Sequence, residues 1–223
     1  MQPPVHIGYE DDHLLVAWKP HGLLTSGNHA QTFQRRIRMR FPSEVRKQIG
    51  ACHRLDFPTA GWVVFGKHLD ATRAMGALFA ERQVAKAYLA LVHGHVATSL
   101  RMEWPLDGKD ATTNAVQLAH GTIAGAGAVS LVQVHPLTGR THQIRRHLHG
   151  TGHGIVGDDT YQHPSEMYRG KGLFLCAYGL GFDHPLTPDK RVELLAPPSK
   201  KFTKIPFVHR SDFIAQLHLS SHA

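Results

Sequence analysis

Apolar residues along this chain come in short alternating runs rather than in long periodic segments. VHIGYEDDHLLVAWKP sets two apolar stretches around the acidic turn Glu10 to Asp12, which predicts a hairpin leading into the loop KPHGLLTSG. Between Gln31 and Gly50, Phe33, Ile37 and Phe41 recur every four residues with arginines on the other faces, the pattern of a basic amphipathic helix broken at Pro42. That charged face fits plain solvation as well as it fits RNA contact. GWVVFGK reads as a buried strand, LDATRAMGALFAERQ as a helix with Met75, Leu78 and Phe79 on its apolar side, and KAYLALVHGHV as a strand. Pro105 to Gly127 has no clear period, so a weakly ordered loop or an edge strand is expected. AVSLVQVHP returns to alternation, with Ala128, Ser130, Val132 and Val134 opposite Val129, Leu131 and Gln133.

Thr141 is the predicted N-cap of a helix HQIRRHLH that Gly150 and Gly152 stop, with Ile144 and Leu148 turned to the core. LFLCAYGLGFDHP and RVELLAP read as later strands and SDFIAQLHL as a terminal helix capped by Ser211. Strands dominate without regular βαβα alternation. The expected fold is α+β: a mostly antiparallel or mixed central β-sheet with flanking helices, in one domain over residues 1–223.

Charge narrows the partners. The chain of 223 residues carries a formal net charge of +8, a positive field that attracts polyanions. RNA or DNA fits that field better than an acidic small molecule, although basic membrane-surface proteins share it. Cys52 and Cys176 are the only cysteines and form no CxxC pair, so a reducing cytosol is the expected compartment. The opening residues lack a signal-peptide pattern and no run approaches the ~20 apolar residues of a membrane span, so a soluble, unprocessed protein is expected. Nineteen histidines raise the question of a metal, yet His142, His147, His149 and His153 do not form HExxH, and no metal is expected.

The candidate chemistry centres on HRLDFPTAG, His53 to Gly61, where Asp56 stands close to the guanidinium of Arg54 in an otherwise apolar stretch. An aspartate before Phe-Pro-Thr is, taken alone, more often a turn residue bonding its own backbone. As a reactive group, it would stay ionised in a dry pocket only with a cation nearby, and it would then serve as a nucleophile or as a base.

Three further blocks change that balance: KPHGLL at Lys19 to Leu24, KAYLALVHG at Lys86 to Gly94, and TGRTHQIRRHL at Thr138 to Leu148. With HRLDFPTAG they resemble, in order and rough spacing, the RluA family of RNA pseudouridine synthases. The resemblance implies a pseudouridine synthase catalytic domain that isomerises uridine without a cofactor. It places the catalytic aspartate at Asp56, its ion-pair partner at Arg145 and a tyrosine against the target base at Tyr88. Arg54 matches the residue that fills the space of an extruded nucleotide, and Ile144 one that lines the base pocket. Lys19, Arg140 and His142 become candidates for phosphate contact or for bracing the site. Thr59-Ala60-Gly61 departs from the family's TSG, and Leu175-Cys176-Ala177 from its LHA, whereas IVGDDTY keeps the family form with a tight turn at Gly157. No added RNA-binding module is seen before Tyr9, so a minimal member acting on a tRNA or rRNA loop is expected, and with no heptad or sustained exposed apolar stripe a monomer is expected. A non-catalytic RNA-binding protein of the same fold is the alternative.

Overall fold

The computed structural model describes residues 4–161, 172–197, 199–208 and 217–219. It divides into two compact units, one built from Met1–Val84 and Leu180–Leu194, the other from Ala85–Gly179 and Leu195–Ser221. The pairings β1–β2, β2–β4, β3–β4, β5–β8, β6–β7 and β7–β8, described below, are antiparallel, and helices are few, as an α+β fold requires.

In the first unit, β1 (Ile7–Glu10) and β2 (Leu14–Lys19) form the expected hairpin. Asp11 closes its turn by accepting the backbone N–H groups of His13 and Leu14 at 2.9 and 2.8 Å. β2 pairs with β4 (Ala60–Gly66) from Leu14↔Gly66 to Lys19↔Gly61, and β3 (Gly50–Ala51) lies on the same β4. This register brings the start of KPHGLL and the end of HRLDFPTAG to one end of the β2–β4 pair.

The basic segment forms a shorter helix than its pattern predicts. α1 (Phe33–Arg38) starts at a Thr32 cap whose hydroxyl accepts from Arg35 N at 3.2 Å, and it buries Phe33 and Ile37. The chain then turns and α2 (Ser43–Arg46) begins after Pro42. Arg46 Nη2 holds the turn by donating to Phe41 O at 3.0 Å, and Arg38 Nε reaches past α2 to donate to Ile49 O at 2.8 Å. Guanidinium groups here satisfy carbonyls outside the two helices. α3 (Leu69–Ala80) buries Ala71 and Met75, leaving Leu78 and Phe79 half-buried. It packs on β4 at Gly66, where a Cβ would stand 2.5 Å from Thr72 N.

The second unit is ordered β5-β8-β7-β6, with β5 at Ala85–His93, β6 at Ser99–Met102, β7 at Thr113–Ile123 and β8 at Gly127–Pro136. Much of the stretch expected as a loop or edge strand is therefore the eleven-residue β7. Its partner β6 pairs with Thr113 to Val116, Gln117 N adds a bond to Thr98 O at 3.1 Å, and beyond that β8 is the one strand paired with β7 among the described residues. A strand paired on one side and mostly half-exposed carries a weak alternation, and a register shift between Gln117 and Ala119 blurs it further. β8 is buried on both faces from Val129 onward, taking Ser130, Gln133 and His135 inside with its apolar residues.

α4 (Gln143–Gly150) forms as expected, but its N-cap is His142, in the left-handed region at φ 53°, and not Thr141. The N-terminus is braced from within the helix: Gln143 Oε1 accepts Arg140 N at 3.0 Å and the Thr138 hydroxyl at 2.7 Å, while its Nε2 donates to Thr112 O and Thr113 Oγ1, both at 2.9 Å. β9 (Leu175–Asp183) contributes its first five residues to this unit and the remainder to the other, where β10 (Arg191–Leu195) pairs with it. α5 (Lys200–Thr203) follows, and the terminal helix expected at Ser211 lies outside the described residues except for 217–219.

Candidate active site

The Asp56 loop belongs to the first unit and is fastened to the KPHGLL loop at several points. Asp56 O accepts Thr59 N at 3.1 Å, a tight turn over Phe57 and Pro58, and the Asp56 side chain is half-buried. Phe57 O accepts Gly22 N at 2.9 Å and Leu23 N at 3.3 Å. Thr25 Oγ1 donates to Leu55 O at 3.0 Å and accepts Leu55 N at 3.1 Å. On the other side of the loop, His53 Nε2 accepts Val64 N at 3.1 Å and its ring centroid lies 4.4 Å from that of Phe79. The aspartate thus sits on a turn whose backbone is fixed before and after it, while Arg54 projects to the surface.

Lys19 is fully buried at 0% exposure, with Nζ donating to Leu23 O at 2.7 Å, Pro20 O at 3.2 Å and Phe57 O at 3.4 Å. Through these carbonyls the ammonium ties the end of β2 to the KPHGLL and Asp56 loops. Burial pushes its pKa down to about 8, against the pull of the negative charge on Asp56.

The second unit holds the other candidates. Tyr88 stands half-buried in the middle of β5, opposite Val134 of β8, and Lys86 two residues before it donates to Thr138 O at 3.2 Å. Ile144 and Arg145 are buried in the first turn of α4, at 6% and 2% exposure. Arg145 forms a two-pronged ion pair, Nε to Asp158 Oδ2 at 2.7 Å and Nη2 to Asp158 Oδ1 at 2.6 Å. Its guanidinium carbon also lies 5.1 Å from the ring centroid of Tyr161. Burial works to raise the Asp158 carboxyl, but the Arg145 hydrogen bond, the N–H groups of Thr160 and Tyr161, and the Arg145 charge outweigh it and hold the group below the usual carboxylate range. His142 Nδ1 lies 2.9 Å from Tyr161 Oη, and Arg140 Nε donates to Asp110 O at 2.9 Å. Gly157, at φ 76°, makes the expected tight turn, and a Cβ there would meet Gly172 O at 2.4 Å.

Arg140, His142, Ile144 and Arg145 are therefore gathered at one helix start, and Lys19 with Asp56 at one end of the β2–β4 pair. Asp158, Tyr161, Gln143 and Thr25 are bracing residues that motif reading did not assign. Asp158 and Tyr161 had a signal, their places in IVGDDTY beside the tight turn, while Gln143 and Thr25 stood within TGRTHQIRRHL and KPHGLLTSG without a role. Two of the histidines weighed for a metal are engaged with the protein itself: His147 Nδ1 lies 2.9 Å from Thr113 Oγ1 and its Nε2 3.2 Å from Trp104 O, and His153 Nδ1 lies 2.9 Å from His93 O. Among the described residues no group of three His, Cys, Asp or Glu side chains is arranged to hold a metal. No described helix is long and apolar enough to cross a membrane. Cys176, at the family's LHA position, is fully buried and its thiol is pushed up to about 12, so it acts as a small packing group.

Residues 13–150 match the RNA pseudouridylate synthase family. The dual-specificity RNA pseudouridine synthase RluA of Haemophilus influenzae is 34% identical over 84% of this chain and 90% of its own length. The ribosomal large subunit pseudouridine synthase C of Vibrio parahaemolyticus is 33% identical over 88% of this chain and 67% of its own. Among solved structures, human RNA pseudouridylate synthase domain containing 1 superposes with a TM-score of 0.74 at 31% identity, covering 89% of this chain and 86% of that one. Human RNA pseudouridylate synthase domain containing 4, at 23% identity and a TM-score of 0.67, shares the fold. With a family match that takes in Asp56, Tyr88 and Arg145, and relatives a third identical over most of both chains, the chain belongs to the RluA family of RNA pseudouridine synthases.

Proposed function

We propose that this RNA pseudouridine synthase isomerises a uridine in a tRNA or rRNA loop through Asp56, as a monomer in the cytoplasm and without a cofactor. The two units act as one catalytic domain over residues 1–223. In the reaction the N1–C1′ bond breaks, the uracil turns while bound, and C5 joins C1′. The C5 proton is released to solvent and N1 gains a proton, so no oxidant, reductant or metal is required by the balance. Asp56 assists as a nucleophile towards base or sugar, or as a base that removes a sugar proton.

The observation that carries the reading is the fixed Asp56 turn, whose neighbouring carbonyl at Phe57 takes hydrogen bonds from Gly22, Leu23 and Lys19. A reactive carboxylate must be placed to within fractions of an ångström, and a turn clamped through its backbone does this without using the side chain. The family resemblance gives Arg145 the role of charge partner, Tyr88 that of a surface for the uracil, Arg54 that of replacing the extruded nucleotide and Ile144 that of lining the base pocket. Arg140 and His142 brace the start of α4 beside them, and Lys19 braces the Asp56 loop. Flipping a nucleotide costs a few kcal/mol, so an unpaired loop or bulge is the substrate this chemistry favours.

Pseudouridine mapping of total tRNA and rRNA by carbodiimide adducts and primer extension tests the proposal, in cells with wild-type protein, Asp56→Ala or no protein. One site lost in both altered lines is the expected result, and it names the substrate. Unchanged sites in both lines, with RNA still bound by the purified protein, would replace catalysis with the RNA-binding alternative.

A further inference from the structure

Phe57 is the one exposed Phe, Tyr or Trp among the described residues, at 53% relative exposure, and it directly follows Asp56. An aromatic left in water at that position is unusual for a second reason: its backbone is among the most firmly held in the unit. The Phe57 carbonyl takes three donors, Gly22 N at 2.9 Å, Leu23 N at 3.3 Å and Lys19 Nζ at 3.4 Å, and Pro58 restricts the following φ. Leu24, in the loop that supplies two of these donors, is itself exposed, and Arg54 is exposed three residues before Phe57. An exposed ring carried on a fixed backbone, an apolar residue in the adjoining loop and an exposed cation three residues away are the groups that bind an unpaired nucleotide, the ring taking the base and the cation the backbone.

We infer that Phe57 is a stacking platform for an unpaired base next to the modified uridine. The inference rests on the functional reading above and extends it from reaction to substrate positioning. RNA is favoured over a protein partner by the formal charge of +8 and by the cations at 54 and in the segment before it. Because every base presents a π-face, the platform selects for an unpaired neighbour and not for its identity. It therefore discriminates open loops from duplex.

The test uses total tRNA and rRNA carrying tritium at uridine C5, isolated from cells that lack the protein, with tritium release as the readout. Loss of one base-stacking contact predicts that Phe57→Ala lowers kcat/KM by about 5- to 150-fold, chiefly through KM. Phe57→Trp stays within about threefold of wild type, and Phe57→Leu, which keeps apolar area but not the ring, falls with alanine. Thermal unfolding of the three variants matches wild type, because the side chain is exposed. A Phe57→Ala enzyme within twofold of wild type, or a Phe57→Leu enzyme equal to Phe57→Trp, overturns the inference. Fluorescence separates it from the catalytic reading: Asp56→Ala/Phe57→Trp loses emission on addition of the same RNA beyond any change in Asp56→Ala alone. No extra quenching defeats the platform even if Asp56 is catalytic, whereas tritium release undiminished by Asp56→Ala defeats the catalytic reading and leaves the quenching to decide the platform.

Discussion

Arg145 and Asp158 are buried together, and the two members of that pair are not equivalent. Removing Asp158 takes the two-pronged acceptor from a guanidinium at 2% exposure and leaves the exposed Asp159 carboxylate 3.8 Å from it. Breaking a buried pair costs up to about 3–5 kcal/mol, and Asp158→Ala is expected to lose a large part of that in urea unfolding. A loss below about 1 kcal/mol for Asp158→Ala would mean that water already reaches the pair. The contribution is also pH-dependent with a fixed sign: the folded carboxyl lies below its ordinary 3.8, so stability is full above that value and drains as pH falls through the lower folded one. At this scale the sequence revealed positions better than duties. Asp56, Tyr88 and Arg145 fall in compact motifs, but Asp158 reaches Arg145 from thirteen residues away through a turn, a relation with no period to read. Gln143 likewise looks like an ordinary helix residue until its four hydrogen bonds to 112, 113, 138 and 140 are drawn.

Elements meet their loops at Lys19, the last residue of β2, whose ammonium joins the KPHGLL loop to the Asp56 loop. Its folded pKa near 8 lies below the ordinary 10.5 because burial disfavours the charge. Between those values the unfolded chain binds more protons than the folded one, so stability from this group rises with pH, by up to about 1.4 kcal/mol per unit. Wild type is therefore expected to gain on Lys19→Met between pH 8 and 10 in thermal or urea unfolding. At pH 7 the variant is itself weakened by its unsatisfied carbonyls, about 1–3 kcal/mol for each left dry. Parallel pH profiles for the two proteins would show that Lys19 is already neutral or already hydrated. The same β2–β4 frame was readable in advance because its strands are buried and apolar, with the hairpin turn marked by Glu10 to Asp12. β7 was not, since half its length is paired on one side only and its exposed positions dilute the alternation. α1 was read too long because Met39 and Arg40 suit a helix by propensity, whereas the chain turns there, with Arg46 of α2 holding the Phe41 carbonyl.

Over the whole chain, charge is unevenly spread: residues 31–54 contain seven Arg or Lys against the single acid Glu44. Arg38 and Arg46 spend their guanidinium groups on backbone carbonyls, whereas Arg35, Arg40, Lys47 and Arg54 are exposed. By contrast, cations elsewhere are often answered locally, as Arg146 is by Asp107 and Arg191 by Asp183 and Glu193. A polyanion held mainly by the first group releases counterions in proportion to the phosphates neutralised, with a slope in log affinity of about −0.7 per contact on single strands. Replacing Arg35, Arg40 and Lys47 by alanine is then expected to flatten the salt dependence of tRNA binding by about 2 units of slope. The control triple Arg82, Lys200 and Lys204, all exposed as well, should leave the slope near wild type. Filter binding between 50 and 200 mM salt reads both, and equal flattening in the two triples would mean that net charge, not the 31–54 segment, draws the RNA. A slope changed only by the first triple would instead put the basic segment in contact with phosphate, and so extend the RNA path from the Asp56 loop back along α1.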